Sequence, residues 1–275
     1  MFAARTLKRR LCLLIGLILV ICMATVSHAE VLIPKESGKV QTDGALVVDL
    51  GNASEGYIMV KSSKTSKKRL KVRITCGGSD LKYDLNMNAE YEVFPLQFGK
   101  AKYVVYLYQN SEGKNYKQKG KLTVSPNGMT DELRCFLYPN QYVNYTADTE
   151  CVKVAADLCK DMTEQSKIFK TVTNYVVSNF SYDFIKSVTV QPNTLPDIDE
   201  CWTKRMGICQ DLSALTCAML RSQGVPARLI MGQLGTGTPH AWVMAVVDGQ
   251  ETFFDPTAEL NASNKTDTYT VDRWY

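Results

Sequence analysis

Histidine is almost missing from this chain. Of its 275 residues two are histidine, His28 and His240. His28 lies in a segment that reads as a removable leader, so any imidazole chemistry in the mature protein rests on His240. A site built from several imidazoles is excluded. No C-x-x-C pair occurs among the nine cysteines, which removes the common zinc and dithiol spacings. Neither a metal nor an organic cofactor is expected. The uncharged, mostly apolar run at residues 11–26 is shorter than the roughly 20 residues that a membrane-spanning helix needs.

That run follows Arg5, Lys8, Arg9 and Arg10 and precedes Ser27-His28-Ala29, with small residues at positions −3 and −1 of a cleavage site. This is the pattern of a secretory signal peptide over residues 1–29, cut after Ala29, and it implies a secreted protein that could remain at the cell surface. An uncleaved anchor is the alternative. The leader carries the whole charge excess. The chain has 32 Lys+Arg and 28 Asp+Glu; removing the four leader cations leaves 28 of each. The balanced mature chain gives no electrostatic argument for a nucleic-acid partner. Removing Cys12 and Cys22 leaves seven cysteines of the nine. An odd number leaves at least one thiol unpaired or paired with another molecule. Most are expected to be small core residues.

Residues 30–128 read as a β-sandwich-like domain. "GALVVDL", "GYIMV", "RLKVRITC", "YEVFPLQF", "AKYVVYLYQN" and "KGKLTVS" are short β-rich runs separated by turn residues. Between Lys61 and Arg73, "KSSKTSKKRLKVR" carries seven cations. It is read either as a solvated strand edge or as a contact for an anionic cell-surface polymer. Residues 129–147 read as a connector with a turn at Pro139-Asn140. From Asp148 a helical pattern runs to "NFSYD" at residues 179–183, with Val152, Ala155, Ala156 and Cys159, then Ile168, Val172, Tyr175 and Val176, at helical spacing. Residues 148–275 form the second expected domain.

Within it, "GICQDLSALTCAMLRSQG" places Cys209 in the first turn of a helix that ends near Gln223, with Gly224 and Pro226 as stop signals. The free N–H groups and positive dipole of a helix start stabilise a thiolate. Cys217, in the middle of the same helix, has neither advantage. Downstream, "HAWVMAVV", the turn "DG" and "QETFFDPT" read as a hairpin. If Asp248-Gly249 is a two-residue turn, Val247 opposes Gln250, Trp242 opposes Asp255 and His240 opposes Thr257. His240 and Asp255 then share a face as diagonal neighbours. Cys209 as nucleophile, His240 as proton carrier and Asp255 as its orienting carboxylate form a complete triad. The plain alternatives are a buried helix thiol, a polar strand end and a turn-initiating aspartate before Pro256.

The three segments around Cys209, "HAWVMA" and "FFDPT" resemble the core of the transglutaminase-like superfamily, as do "NFSYD" and "YTVDRWY". The resemblance implies an α+β fold with a papain-like core, its nucleophile helix packed on an antiparallel sheet, preceded by the all-β domain. It implies a secreted cysteine enzyme that acts through an acyl-thioester on peptide, isopeptide or glutamine amide bonds, with a protein or peptide as substrate. The compact stretch after His240 and the lack of a calcium-site motif favour hydrolysis over cross-linking. The alternative is a binding or cell-surface protein that keeps the fold without the activity.

Overall fold

Alternation of period two shapes the first region. In β4 (Leu70–Cys76) and β5 (Ser79–Leu85) every second side chain is buried, so each strand presents one apolar and one polar face. The computed structural model describes residues 30–261 and 268–275; the leader expected at residues 1–29 lies outside them. Two four-stranded antiparallel sheets pack face to face. One has the order β1-β2-β3-β6, built from Val40–Asp43, Leu46–Asp49, Tyr57–Ser62 and Glu92–Pro95. The other has the order β5-β4-β7-β8, with β7 at Tyr103–Glu112 and β8 at Asn115–Val124. Leu46, Ile58, Val60, Val72, Phe94 and Val105 fill the space between them.

Two of these strands, β1 and β5, are additional to the runs read from sequence. β1 is exposed throughout and carries no apolar alternation. In β5 the charges of Asp80, Lys82 and Asp84 interrupt the apolar run of Leu81, Tyr83 and Leu85. Those charges are balanced on β4, where Arg73 pairs with Asp80 at 2.8 Å and Lys71 with Asp84 at 2.7 Å. The basic stretch is thus partly neutralised: Lys71 and Arg73 are paired, and Lys61 lies over the Tyr91 ring.

The second region mixes helices with a third antiparallel sheet. The helical stretch expected from Asp148 is two helices, α1 (Glu150–Leu158) and α2 (Gln165–Asn179). Asp161, at φ 64°, adopts the left-handed conformation between them and breaks the helix. A short parallel pair follows, β9 (Ser181–Tyr182) with β10 (Met206–Gly207). Between its strands lie α3 (Phe184–Thr189) and α4 (Ile198–Lys204). Helix α5 (Cys209–Ser222) is buried from Asp211 to its end. It packs on the sheet β13-β12-β11-β14, formed by Gln250–Phe254, Pro239–Val247, Ala227–Leu234 and Tyr269–Trp274, with α6 (Pro256–Leu260) after β13. Leu212, Leu215, Met219, Leu229, Val243 and Ala245 join α1, α2, α5 and the sheet in one core.

The two regions are fastened where Tyr275 enters the sandwich. It is 1% exposed, stacks on Tyr142 with centroids 3.6 Å apart and meets Tyr83 edge-on at 5.8 Å. The buried Arg221, near the end of α5, donates to the carbonyls of Ala227, Tyr138 and Tyr275 at 2.7–2.8 Å. A cation at a helix C-terminus also suits the dipole. Gln97 of the sandwich donates its amide to the Trp274 carbonyl.

Candidate active site

Helix α5 begins at Cys209 because Ile208 turns the chain, with extended backbone at φ −87° and ψ 175°. Asp211, in the first turn, accepts the Ile208 N–H at 3.1 Å and the Asp197 N–H at 3.2 Å. It is fully buried, and Lys186 of α3 meets it at 2.8 Å. Burial alone would lower the Lys186 ammonium, but Asp211 and Glu200 hold it above its ordinary value. Asp211 thus ties the start of α5 to α3 and to the turn before α4. Gly207 makes room for this: a Cβ there would lie 2.7 Å from the Cys201 sulfur and 2.9 Å from Asp211 Cβ.

The hairpin has the expected register. Val247 pairs with Gln250 and Val243 with Phe254. Asp248 and Gly249 both have positive φ, 50° and 78°, as a type I′ turn requires. The ladder then stops. Asp255, opposite Trp242 by continuation, leaves the strand and caps α6, so the pairing of His240 with Thr257 does not form. Asp255 Oδ1 accepts the N–H groups of Thr257 and Ala258 at 2.9 and 3.1 Å. Its Oδ2 accepts His240 Nε2 at 2.7 Å and the Tyr269 hydroxyl at 2.9 Å. The turn-initiating role and the orienting role therefore belong to one carboxylate, each served by its own oxygen.

With Nε2 committed to Asp255, Nδ1 is the ring nitrogen left for Cys209, which lines the same cleft. The structure thus brings Cys209 and His240 to one cleft and joins His240 to Asp255. Burial alone would lower the His240 pKa. The hydrogen bond and charge of Asp255, and then of Cys209, outweigh it and raise the imidazole to about 9. Burial likewise pushes the Asp255 carboxyl up, and His240, the Ala258 N–H and the Tyr269 hydroxyl bring it below its ordinary value. The ring rests against aromatic walls, with Trp242 at 6.2 Å and Tyr269 at 6.1 Å between centroids.

Six of the seven described cysteines are buried and Cys209 is partly exposed. Burial pushes Cys217 up to about 12, and Cys151, Cys201 and Cys135 to about the same value. Cys209 opens instead onto a cleft of about 610 Å³, lined also by His240, Tyr182, Gln191, Thr194 and Arg273. Among the described residues no group of three or more His, Cys, Asp or Glu side chains could hold a metal ion.

Three contributors have no role in the sequence reading: Tyr269, Lys186 and Asp211. Tyr269 stood in view within "YTVDRWY" and Asp211 within Cys209-Gln210-Asp211, but nothing in their spacing shows what they touch. Asp255 and Tyr269 meet across the sheet, and Lys186 reaches Asp211 from another helix.

Residues 152–256 match the family model described as the transglutaminase-like superfamily. An uncharacterized protein of Mycobacterium leprae (strain TN) is 30% identical over 105 residues, which cover 34% of this chain and 36% of its own length. The chain thus spans about a third of that curated relative. Among solved structures, a protein of Cytophaga hutchinsonii, provisionally assigned as a cysteine protease, is 15% identical with a TM-score of 0.39 over 77% of this chain and 80% of its own. Red sea bream transglutaminase is 14% identical with a TM-score of 0.32 over 73% and 47%.

Proposed function

We propose, from the match of residues 152–256 to the transglutaminase-like superfamily model, that the protein is a cysteine amide hydrolase acting on polypeptides. One observation carries the reading: Cys209, at a helix N-terminus, and His240, held by Asp255, open into one cleft.

The chemistry follows from these positions. Cys209 gives its proton to His240, and its sulfur attacks the carbonyl carbon of a peptide, isopeptide or glutamine amide. The C=O π bond opens to an oxyanion. The N–H groups of the first turn of α5, which lack intrahelical acceptors, point to where that charge develops. As the carbonyl re-forms, the C–N bond breaks and Nδ1 protonates the departing amine. The acyl group is left as a thioester on Cys209. Water, deprotonated by His240, attacks the thioester and releases a carboxylic acid, and the thiol is restored. Asp255 holds the ring by Nε2 throughout and stabilises its charged form. The compact stretch after His240 in the sequence favours water as acceptor. The sequence of the leader and of residues 61–73 supports a secreted enzyme, with attachment to an anionic surface polymer through the unpaired part of that basic stretch.

Limited alkylation by iodoacetamide at mildly acidic pH, with peptide mass mapping, is the test. Cys209 is expected to react first, and His240→Ala to slow it by about 100-fold or more, the scale of a lost proton-transfer partner. Labelling no faster at Cys209 than at Cys217 would reject the enzyme in favour of an inactive binding protein of the same fold. Ammonia or new amino termini released from unfolded polypeptide, without uptake of a fluorescent primary amine, is the expected sign of hydrolysis.

A further inference from the structure

The catalytic cleft does not end at the core. Tyr142, Asn193, Asp272 and Arg273 line it and also line a second cavity of about 450 Å³. One wall of that cavity is β14, through Asp272, Arg273 and Trp274. The other is the sandwich, through Asp80 and Lys82 of β5 together with Gln97. Both strands are edges of their sheets: β5 ends its four-stranded sheet, and β14 ends the sheet that carries His240.

The exposed side of β14 has open pairing capacity. Tyr275 exchanges both backbone hydrogen bonds with Leu229, so Trp274 turns its N–H and C=O away from β11, toward the cavity. Gln97 already donates to that carbonyl as an incoming strand would. The stacked Tyr142 and Tyr275 rings and the Arg221 clamp fix the two walls relative to each other. The cavity is therefore pre-formed, which reduces the ordering cost of binding. His240 pairs with Gly232, and Gly232 with Val271 of β14. Two interstrand spacings, about 10 Å, separate the backbone at His240 from that of β14, which is the reach of about three extended residues.

We infer that the groove between β5 and β14 is a substrate subsite. It takes a polar or charged side chain of an extended polypeptide, about three residues from the amide held at Cys209, while the peptide backbone pairs with the β14 edge. This rests on the proposed hydrolase. It makes the β-sandwich part of the substrate site rather than an appended module. Asp80, paired with Arg73 and Lys82, and Asp272 and Arg273 on the opposite wall make the lining charged, which suits a polar side chain over an apolar one.

The test uses the full mature chain and alkylation of Cys209 as the readout. Probes are mixed-sequence hexapeptides with an electrophile at one end, either a C-terminal chloromethyl ketone or an N-terminal chloroacetyl group, with single-residue counterparts. One hexapeptide set is expected to react with Cys209 at least tenfold faster than its counterpart. Lys82→Trp, which fills the groove from the sandwich side, is expected to erase that gain and leave the iodoacetamide rate unchanged; Lys82→Ala should keep the gain. Equal rates for long and short probes of both kinds would overturn the subsite, as would a gain that survives Lys82→Trp. Loss of selective iodoacetamide labelling in the unmodified chain would instead overturn the triad, so the two failures are distinguishable.

Discussion

At the scale of the residue, the site is organised around one carboxylate with four hydrogen bonds. Asp255 and His240 stabilise each other's charged forms, and the sign of each shift sets a pH window. The His240 pKa is raised from 6.5 to about 9, so its contribution is complete below the unfolded value and is lost as pH rises through the folded one. The Asp255 pKa is lowered from 3.8, so its contribution is present above that value and is lost as pH falls below it. Thermal melts of the wild type against Asp255→Asn are expected to show the largest difference between about pH 4 and 6.5, at most about 3 kcal/mol. The difference should shrink on both sides. A second prediction concerns Tyr269, which donates to Asp255 and packs on His240. Tyr269→Phe keeps the ring and removes the donor. It should cost about 1 kcal/mol in a denaturant melt and slow Cys209 alkylation several-fold, far less than His240→Ala. A rate as low as that of His240→Ala would give the hydroxyl a direct part in proton transfer.

At the scale of the element, helix α5 is held by its first turn. The buried Asp211 accepts two backbone N–H groups and meets the partly buried Lys186. Asp211→Ala leaves the half-buried Lys186 ammonium and both donors without this acceptor. Removing one partner of a buried ion pair costs about 3–5 kcal/mol, and urea melts should show a loss of that order. The start of α5 should fray with it, so alkylation of Cys209 should lose its dependence on His240. The hairpin shows how far local rules reach. The Asp248-Gly249 turn type, and with it every pair from Val247–Gln250 to Val243–Phe254, was legible because side-chain direction and turn chemistry repeat within a few residues. Its end was not legible. Asp255 leaves the ladder because Pro256 cannot donate to it and suits the first turn of a helix.

At the scale of the whole molecule, sandwich and core are joined through Tyr83, Tyr142, Tyr275 and Arg221. The planar fork of Arg221 serves three carbonyls drawn from the connector, β11 and Tyr275. Lysine, a point charge, cannot match that geometry. Arg221→Lys is expected to destabilise the chain by about 3 kcal/mol, the scale of unsatisfied buried acceptors. Chemical denaturation followed by tryptophan fluorescence would measure it, since Trp274 lies at this junction. An unchanged midpoint would mean that the aromatic stack alone holds the two regions together.

The sequence alone singled out Cys209, His240 and Asp255 as candidates, with the elements that carry them. A cysteine at a helix start and a histidine on a hairpin are local facts, written in periodicity, caps and turns. The strands of the sandwich were legible where apolar residues dominated them, and β5 was not, because its exposed charges interrupt the apolar run. What only the tertiary structure decided is the company these residues keep. Tyr269 reaches Asp255, Lys186 reaches Asp211, and Gln97 reaches Trp274 across 177 residues of sequence. Each of these contacts depends on how sheets and helices are ordered in space. Residue spacing along the chain carries no record of that order, because the burial that fixes it is shared by the whole core.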